Sequence, residues 1–325
     1  MRFRRLVARI AVVTGAALVM ACGSAPKPTI AAQRVEVRWM TSVRASDPLV
    51  GKAYDVQKRA LVSPERAEAA TFDARFVLLG EKHDNPDHHR LQAHALEALV
   101  AHGRRPAVLF EMIDLDLQPA LDAYLARGQP TVDGLANVLE WDKRGWPAWS
   151  MYRPIFEVAL AARLKIFATG LSREIVHKVV KEGLSALPPD VAARVRLKPL
   201  APELAASLDA EIKASHCGML PDSMIAPMSL VQRVKDAWMA ALMVAHATAD
   251  GAVLVAGNGH TRGDRGVPYY LAALEPGARA VTVSFVEVNG ASEPSEYAAD
   301  EPASYLVFTP RVDDDDPCAK LRHGG

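Results

Sequence analysis

The sequence predicts an α/β fold: a mainly parallel sheet with helices on both faces and a helical insert. Apolar runs of strand length recur at 76–79, 107–110 and 252–256 with no polar alternation, the pattern of strands buried on both faces, and 165–168 adds a further strand. Stretches with apolar residues at helical spacing separate them. Half of the 325 residues are hydrophobic, enough for one large core or two modest ones.

The N-terminus stands apart. Arg2, Arg4, Arg5 and Arg9 precede an apolar run at 10–20, the pattern of a secretory signal and too short for a membrane span. Val19-Met20-Ala21-Cys22 resembles the lipobox of bacterial lipoproteins. That resemblance implies a signal peptide over 1–21 and a lipidated Cys22. Gly23 follows it, not Asp, so the resemblance to sorted lipoproteins points to the outer membrane, facing the periplasm. Acyl chains at about 0.8 kcal/mol per buried methylene anchor firmly. Residues 22–45 read as a tether, 46–310 as the folded domain and 311–325 as an acidic, unstructured tail. Basic and acidic residues balance at 38 each, which gives no electrostatic reason for a nucleic-acid partner. Cys217 and Cys318 either pair, as an oxidising compartment allows, or stay as thiols.

Within the domain, 47–72 leads in, with Ser63-Pro64-Glu65 as a helix start. The strand at 76–79 runs into Gly80-Glu81-Lys82-His83-Asp84, and Asn85-Pro86 opens a helix to His102, with Gly103 as its stop. His88 falls on the stripe of Gln92, Ala95 and Leu99, while His89 and His94 read as solvated. The strand at 107–110 ends in Glu111 and completes a βαβ unit, so both strands are parallel and both glutamates emerge at one edge. The helical insert spans 114–228. It holds Trp141, Trp146, Trp149 and Tyr152, which suit a pocket wall, a subunit contact or plain packing. Arg153-Pro154 opens another helix. After the strand at 165–168, Thr169, Ser172 and Arg173 stand at a helix start suited to an anion. Met219, Met224, Met228, Met239 and Met243 offer either an adaptable apolar surface or core. A long helix is expected at 229–249, then the strand at 252–256 ending in Gly257-Asn258-Gly259-His260. Strands at 280–286 and 305–309 complete the sheet.

Two strands thus end in Gly-x-x-His, at Gly80/His83 and Gly257/His260. With Glu81 and Glu111 they gather two imidazoles and two carboxylates. That set suits a divalent metal such as zinc, manganese or cobalt, which can activate water, or direct acid/base chemistry. It also permits purely structural capping.

The motifs Gly80-Glu81-Lys82-His83-Asp84-Asn85-Pro86, Glu111-Met112, Trp146-Pro147-x-Trp149, Tyr152-Arg153-Pro154, His216-Cys217-Gly218 and Gly257-Asn258-Gly259-His260-Thr261-Arg262 resemble the ChaN-like haem-binding lipoproteins. That family sits in a wider group with Tiki/TraB-type proteins and erythromycin esterases, whose site by resemblance falls on His83, Glu111 and His260. The resemblance implies haem as cofactor, a role in iron or haem uptake, and homodimers that sandwich haem. Axial candidates are Tyr269, Tyr270 and His216, with a tyrosine favoured; Arg262 and Arg265 are candidates for the propionates, and His88, Arg153 and Arg173 for support or anion holding. The chain therefore reads as a haem-binding envelope lipoprotein rather than an enzyme. The alternative is a metal-dependent hydrolase of peptides or esters using Glu81, His83, Glu111 and His260.

Overall fold

The computed structural model describes residues 38–316 together with Cys318 and Ala319. The expected signal peptide, Cys22 and the first part of the tether lie outside the described residues. Eight strands among those described are β1 (Ala53–Asp55), β2 (Ala60–Val62), β3 (Phe76–Glu81), β4 (Ala107–Asp114), β5 (Ile166–Gly170), β6 (Ala252–Gly257), β7 (Ala280–Glu287) and β8 (Tyr305–Thr309). They form one sheet in the order β2-β1-β8-β7-β3-β6-β4-β5. Every pair from β8 to β5 is parallel, and β1 alone pairs antiparallel, with both β8 and β2. The mainly parallel α/β sheet is as the sequence predicts.

Unbroken apolar runs are required because both faces are covered. Along β3, Val77 and Leu79 enter the layer formed with the Pro86–Ala101 and Trp149–Ala161 helices, whereas Phe76 and Leu78 enter the opposite layer. That second layer holds the Arg173–Glu182, Asp222–His246 and Val267–Leu274 helices. β4 and β6 divide in the same way, Val108 and Val253 to the first layer, Leu109 and Leu254 to the second. This is the two-residue period of a strand read from both sides.

The βαβ unit forms as expected, but its strands are not neighbours: β6 lies between β3 and β4 and pairs with both. Asn85 caps the intervening helix through its side chain, accepting from the Asp87 and His88 amides. The helix ends at Ala101, and Gly103 takes the left-handed conformation, φ 86°, that releases the chain. Within the insert, the Pro202–Ser215 helix precedes the long helix, which starts at Asp222 and continues through Pro227. The methionines do not share one surface. Met239 and Met243 are core, while Met219 is exposed.

Three differences concern the edges of the domain. The β1–β2 hairpin was not legible, because three-residue strands carry too short a pattern. The tether ends sooner than 45: the Met40 and Thr41 amides and the Thr41 hydroxyl donate to the buried Asp87 carboxylate, at 2.9, 2.9 and 2.7 Å. The acidic tail is tied down over its first residues. Arg311 bridges to Val43, Arg44 lies 3.3 Å from Asp314, and Cys318 forms a disulfide with Cys217.

Leu254, fully buried on the central strand, reports on this packing. Leu254→Ala is expected to lower unfolding free energy by about 2–5 kcal/mol in urea titrations.

Candidate functional site

The two Gly-x-x-His motifs meet because β3 and β6 are paired directly, with Gly80 opposite Ala256 and Glu81 opposite Gly257. Both glycines are needed for close approach. A Cβ on Gly80 would collide with the Asn258 and Thr261 side chains. At Gly257 it would sit 3.0 Å from Nε2 of His83 and 3.7 Å from Oε2 of Glu111. The second glycine therefore lets the His83 ring lie across the end of β6, close to Glu111.

Glu81 follows Val77 and Leu79 onto the first layer and is buried. Its Oε1 lies 2.7 Å from His83 Nδ1 and accepts from the Tyr152 hydroxyl at 2.8 Å. Its Oε2 lies 2.7 Å from His89 Nδ1. His89 donates from Nε2 to the His83 carbonyl at 2.9 Å, and its Nδ1 also meets Gln92 Oε1 at 3.1 Å. With acceptors on both sides, His89 is an imidazolium; burial opposes the charge, but Glu81 outweighs it and raises its pKa. Burial alone would raise Glu81, yet His89 and His83 hold it down to about 2. Burial likewise opposes a charged His83, and Glu81 and Glu111 overcome it.

Glu111 follows Leu109 onto the second layer. Its Oε2 accepts from the Gly257 amide at 2.9 Å; its Oε1 lies 3.1 Å from His260 Nε2 and 3.8 Å from Lys235 Nζ. His260 Nδ1 lies 2.6 Å from Asp236 Oδ1, with the Gln232 amide nitrogen 3.0 Å from the same atom. Burial works against a cationic His260, but Glu111 and Asp236 raise it to about 9. Burial pushes Asp236 up to about 6 against the pull of His260, while Glu111 stays well below the usual carboxylate range because His260 outweighs its burial.

Above these pairs opens a cleft of about 550 Å³. Glu81, His83, Glu111 and His260, singled out in the sequence, all line it, and so does His88. Ile212, Phe285, Val286 and Tyr297 give it an apolar side; Lys82, Glu211, Glu287 and Glu301 are among its charged residues. His88 accepts from the Lys82 amide and donates to Thr309 Oγ1, both at 2.9 Å. Burial, with His89 nearby, lowers it to about 3, so it braces β3 against β8 as a neutral ring.

Other expectations are redistributed. His89, expected in solvent, is fully buried under Tyr152, because the Trp149–Ala161 helix covers that side of its helix. Tyr270 is in the second-layer core and Tyr269 donates to the Pro199 carbonyl at 2.6 Å, so neither hydroxyl lines the cleft. His216 caps the Pro202–Ser215 helix through Nδ1 and the Ile212 carbonyl, 2.7 Å. Arg262 is held by Asp264 at 2.8 Å, and Arg265 by Glu211 and Ser207. Arg153 pairs with Asp133 and Glu157 on the surface, and Arg173 donates to the Arg144 carbonyl at 3.3 Å. Thr169 donates to the Phe110 carbonyl and Ser172 caps its own helix, so that helix start is used internally. In the aromatic cluster, Trp141 and Trp149 pack on Phe156, whereas Tyr152 and Trp146 reach Glu81 and His83. No group of three or more His, Cys, Asp or Glu among the described residues is placed to hold a metal ion. Asp236 and Gln232 escaped the sequence reading; their signal is a pair of polar residues four apart, with Asp236 on the buried face of the long helix.

Residues 69–271 match the model of a family described as haem-binding uptake, Tiki superfamily, ChaN. The chain belongs to this family. Among solved structures it is similar to ChaN of Campylobacter jejuni, a structure described as cofacial haem binding, with a TM-score of 0.64 and 23% identity over 78% of this chain and 95% of that one. It also resembles, at a TM-score of 0.41 and 14% identity, a mutant of the erythromycin esterase EreC, over 78% of this chain and 94% of that one. No protein of curated function matches it.

The His260 pair sets a pH dependence. Its folded pKa of about 9 exceeds the ordinary 6.5, so the folded state binds the extra proton between those values. This contribution is complete below pH 6.5 and is lost as pH rises through 9. Urea titrations from pH 6.5 to 10 should show stability falling by up to about 3 kcal/mol, and the fall should be smaller in His260→Gln.

Proposed function

We propose that the protein binds haem and serves haem or iron uptake at the cell envelope. The observation that carries this reading is the family match over residues 69–271. The geometry of the cleft supports His83 as the ligand. Of the three histidines lining the cleft, His88 and His260 have both ring nitrogens engaged within the protein. His83 is tied at Nδ1 alone. Glu81 accepts from that Nδ1–H and fixes the ring's orientation, so loss of the Nε2 proton would give a lone pair that Glu81 strengthens as a donor. Bound haem supplies an iron centre that accepts such an imidazole nitrogen. His83 would hold the iron, Trp146 sets its ring edge-on at 5.0 Å, and Ile212, Phe285 and Val286 would meet the porphyrin. Lys82, 43% exposed on the cleft, pairs with Asp84 at 2.8 Å and reaches Glu287 at 3.5 Å, and Arg262 and Arg265 are held by Asp264 and Glu211. A propionate would exchange for a carboxylate on one of these cations, Lys82 being the more exposed.

Two further parts of the reading rest on other support. The Cys22 pattern, with a disulfide that suits an oxidising compartment, supports a lipid-anchored protein of the outer membrane facing the periplasm. The cofacial arrangement described for the Campylobacter protein supports a homodimer.

Titration of the purified protein with haemin tests the reading. A saturable Soret shift is expected, weakened at least tenfold in His83→Ala and unchanged in Tyr269→Phe and Tyr270→Phe. No Soret change in the wild type would sink haem binding. Wild-type affinity in His83→Ala would move the iron ligand out of this cleft.

A further inference from the structure

One wall of the cleft is a helix with few anchors of its own. Pro202–Ser215 buries only Leu208 and Ile212, yet it supplies Glu211, Ile212 and Ser215 to the cleft. Glu211 closes the wall onto the His260 loop: its Oε1 lies 3.2 Å from where a Cβ on Gly259 would be, and it pairs with Arg265. Two residues beyond Ser215, Cys217 sits in the left-handed conformation, φ 58°, and forms the disulfide with Cys318, 101 residues away. The C-terminal segment carrying Cys318 is fixed at its other end to the strand edge. There the Val312 amide donates to Glu287, itself a cleft residue, at 3.0 Å, and Arg311 bridges to Val43. The disulfide therefore joins opposite sides of the cleft, the insert wall on one and the ends of β7 and β8 on the other. Neither cysteine is fully buried, so a thiolate has access to the bond.

We propose that Cys217–Cys318 is a reducible latch that holds the Pro202–Ser215 wall against the His260 loop, and that a dithiol reductant opens the cleft by cleaving it. One thiolate of the dithiol attacks a cysteine sulfur, breaking the S–S bond and forming a mixed disulfide. The second thiol displaces the remaining cysteine, leaving an oxidised dithiol and two cysteine thiols; the dithiol provides both electrons and both protons. With the long-range link cut, the wall is held by its two buried side chains and its polar contacts, and it opens locally while the sheet stays intact.

The test is backbone amide exchange on the full chain, oxidised, treated with dithiothreitol, and as Cys217→Ser/Cys318→Ser. Exchange across 202–215 is expected to rise at least tenfold on reduction, with β3 and β6 unchanged. The double variant should show the fast rates without reductant and no response to it. Equal exchange over 202–215 in all three forms overturns the latch, as does acceleration that extends to β3 and β6, which would mark general unfolding. A disulfide that resists dithiothreitol in the folded protein overturns its reducibility. None of these readouts requires haem.

Discussion

The Glu81 carboxylate sits at the end of a central strand with no exposed surface, and a charge in that position must be met from within the protein. His83, His89 and Tyr152 meet it. Two of those three come from helices of the first layer, so the seating of Pro86–Ala101 against Trp149–Ala161 is an electrostatic requirement as much as an apolar one. Removing one partner leaves a buried charge under-compensated, which costs more than the lost bond itself. Strand alternation places Glu111 on the opposite layer, where the Asp222–His246 helix and the His260 loop answer it. The two glutamates share an edge of the sheet and both act on His83, but their hydrogen-bond partners come from separate layers.

That separation explains the character of the cleft. Most of its ionisable atoms are spent on one another: His260 between two carboxylates, Glu111 on an amide and an imidazole, His88 between an amide and a hydroxyl. A ligand must therefore use what the internal pairs leave over, which is chiefly one imidazole nitrogen and a short apolar flank.

Much of this was legible from residues alone. Apolar runs buried on both faces announced the parallel sheet, and the paired Gly-x-x-His motifs announced strand ends that meet. The motifs are offset by one position in the ladder, and the glycine ending β6 makes room for the histidine that follows β3. What stayed hidden depended on tertiary cover. A helical wheel places His89 away from the core only while one layer is considered; the second helix that buries it lies about 60 residues further along. The tyrosines after His260 are axial candidates through the family resemblance, yet a short helix places Tyr270 in the second-layer core, which its position in the sequence does not announce. Asp236 hid inside an apolar stripe, where a single acid looks like an interruption rather than a counter-ion. Whether Cys217 and Cys318 meet was open on sequence for the same reason, as it depends on how the insert folds back.

The placement of β6 has a consequence for how the molecule comes into being. It is the strand between β3 and β4, though the chain reaches it only after the insert and the long helix. Until it slots in, the inner edges of β3 and β4 present unpaired backbone to their surroundings, the kind of surface that recruits other chains. Assembly is thus dominated by contacts distant in sequence, which slows it. The long interval before closure is one in which a nascent chain benefits from being shielded from its neighbours.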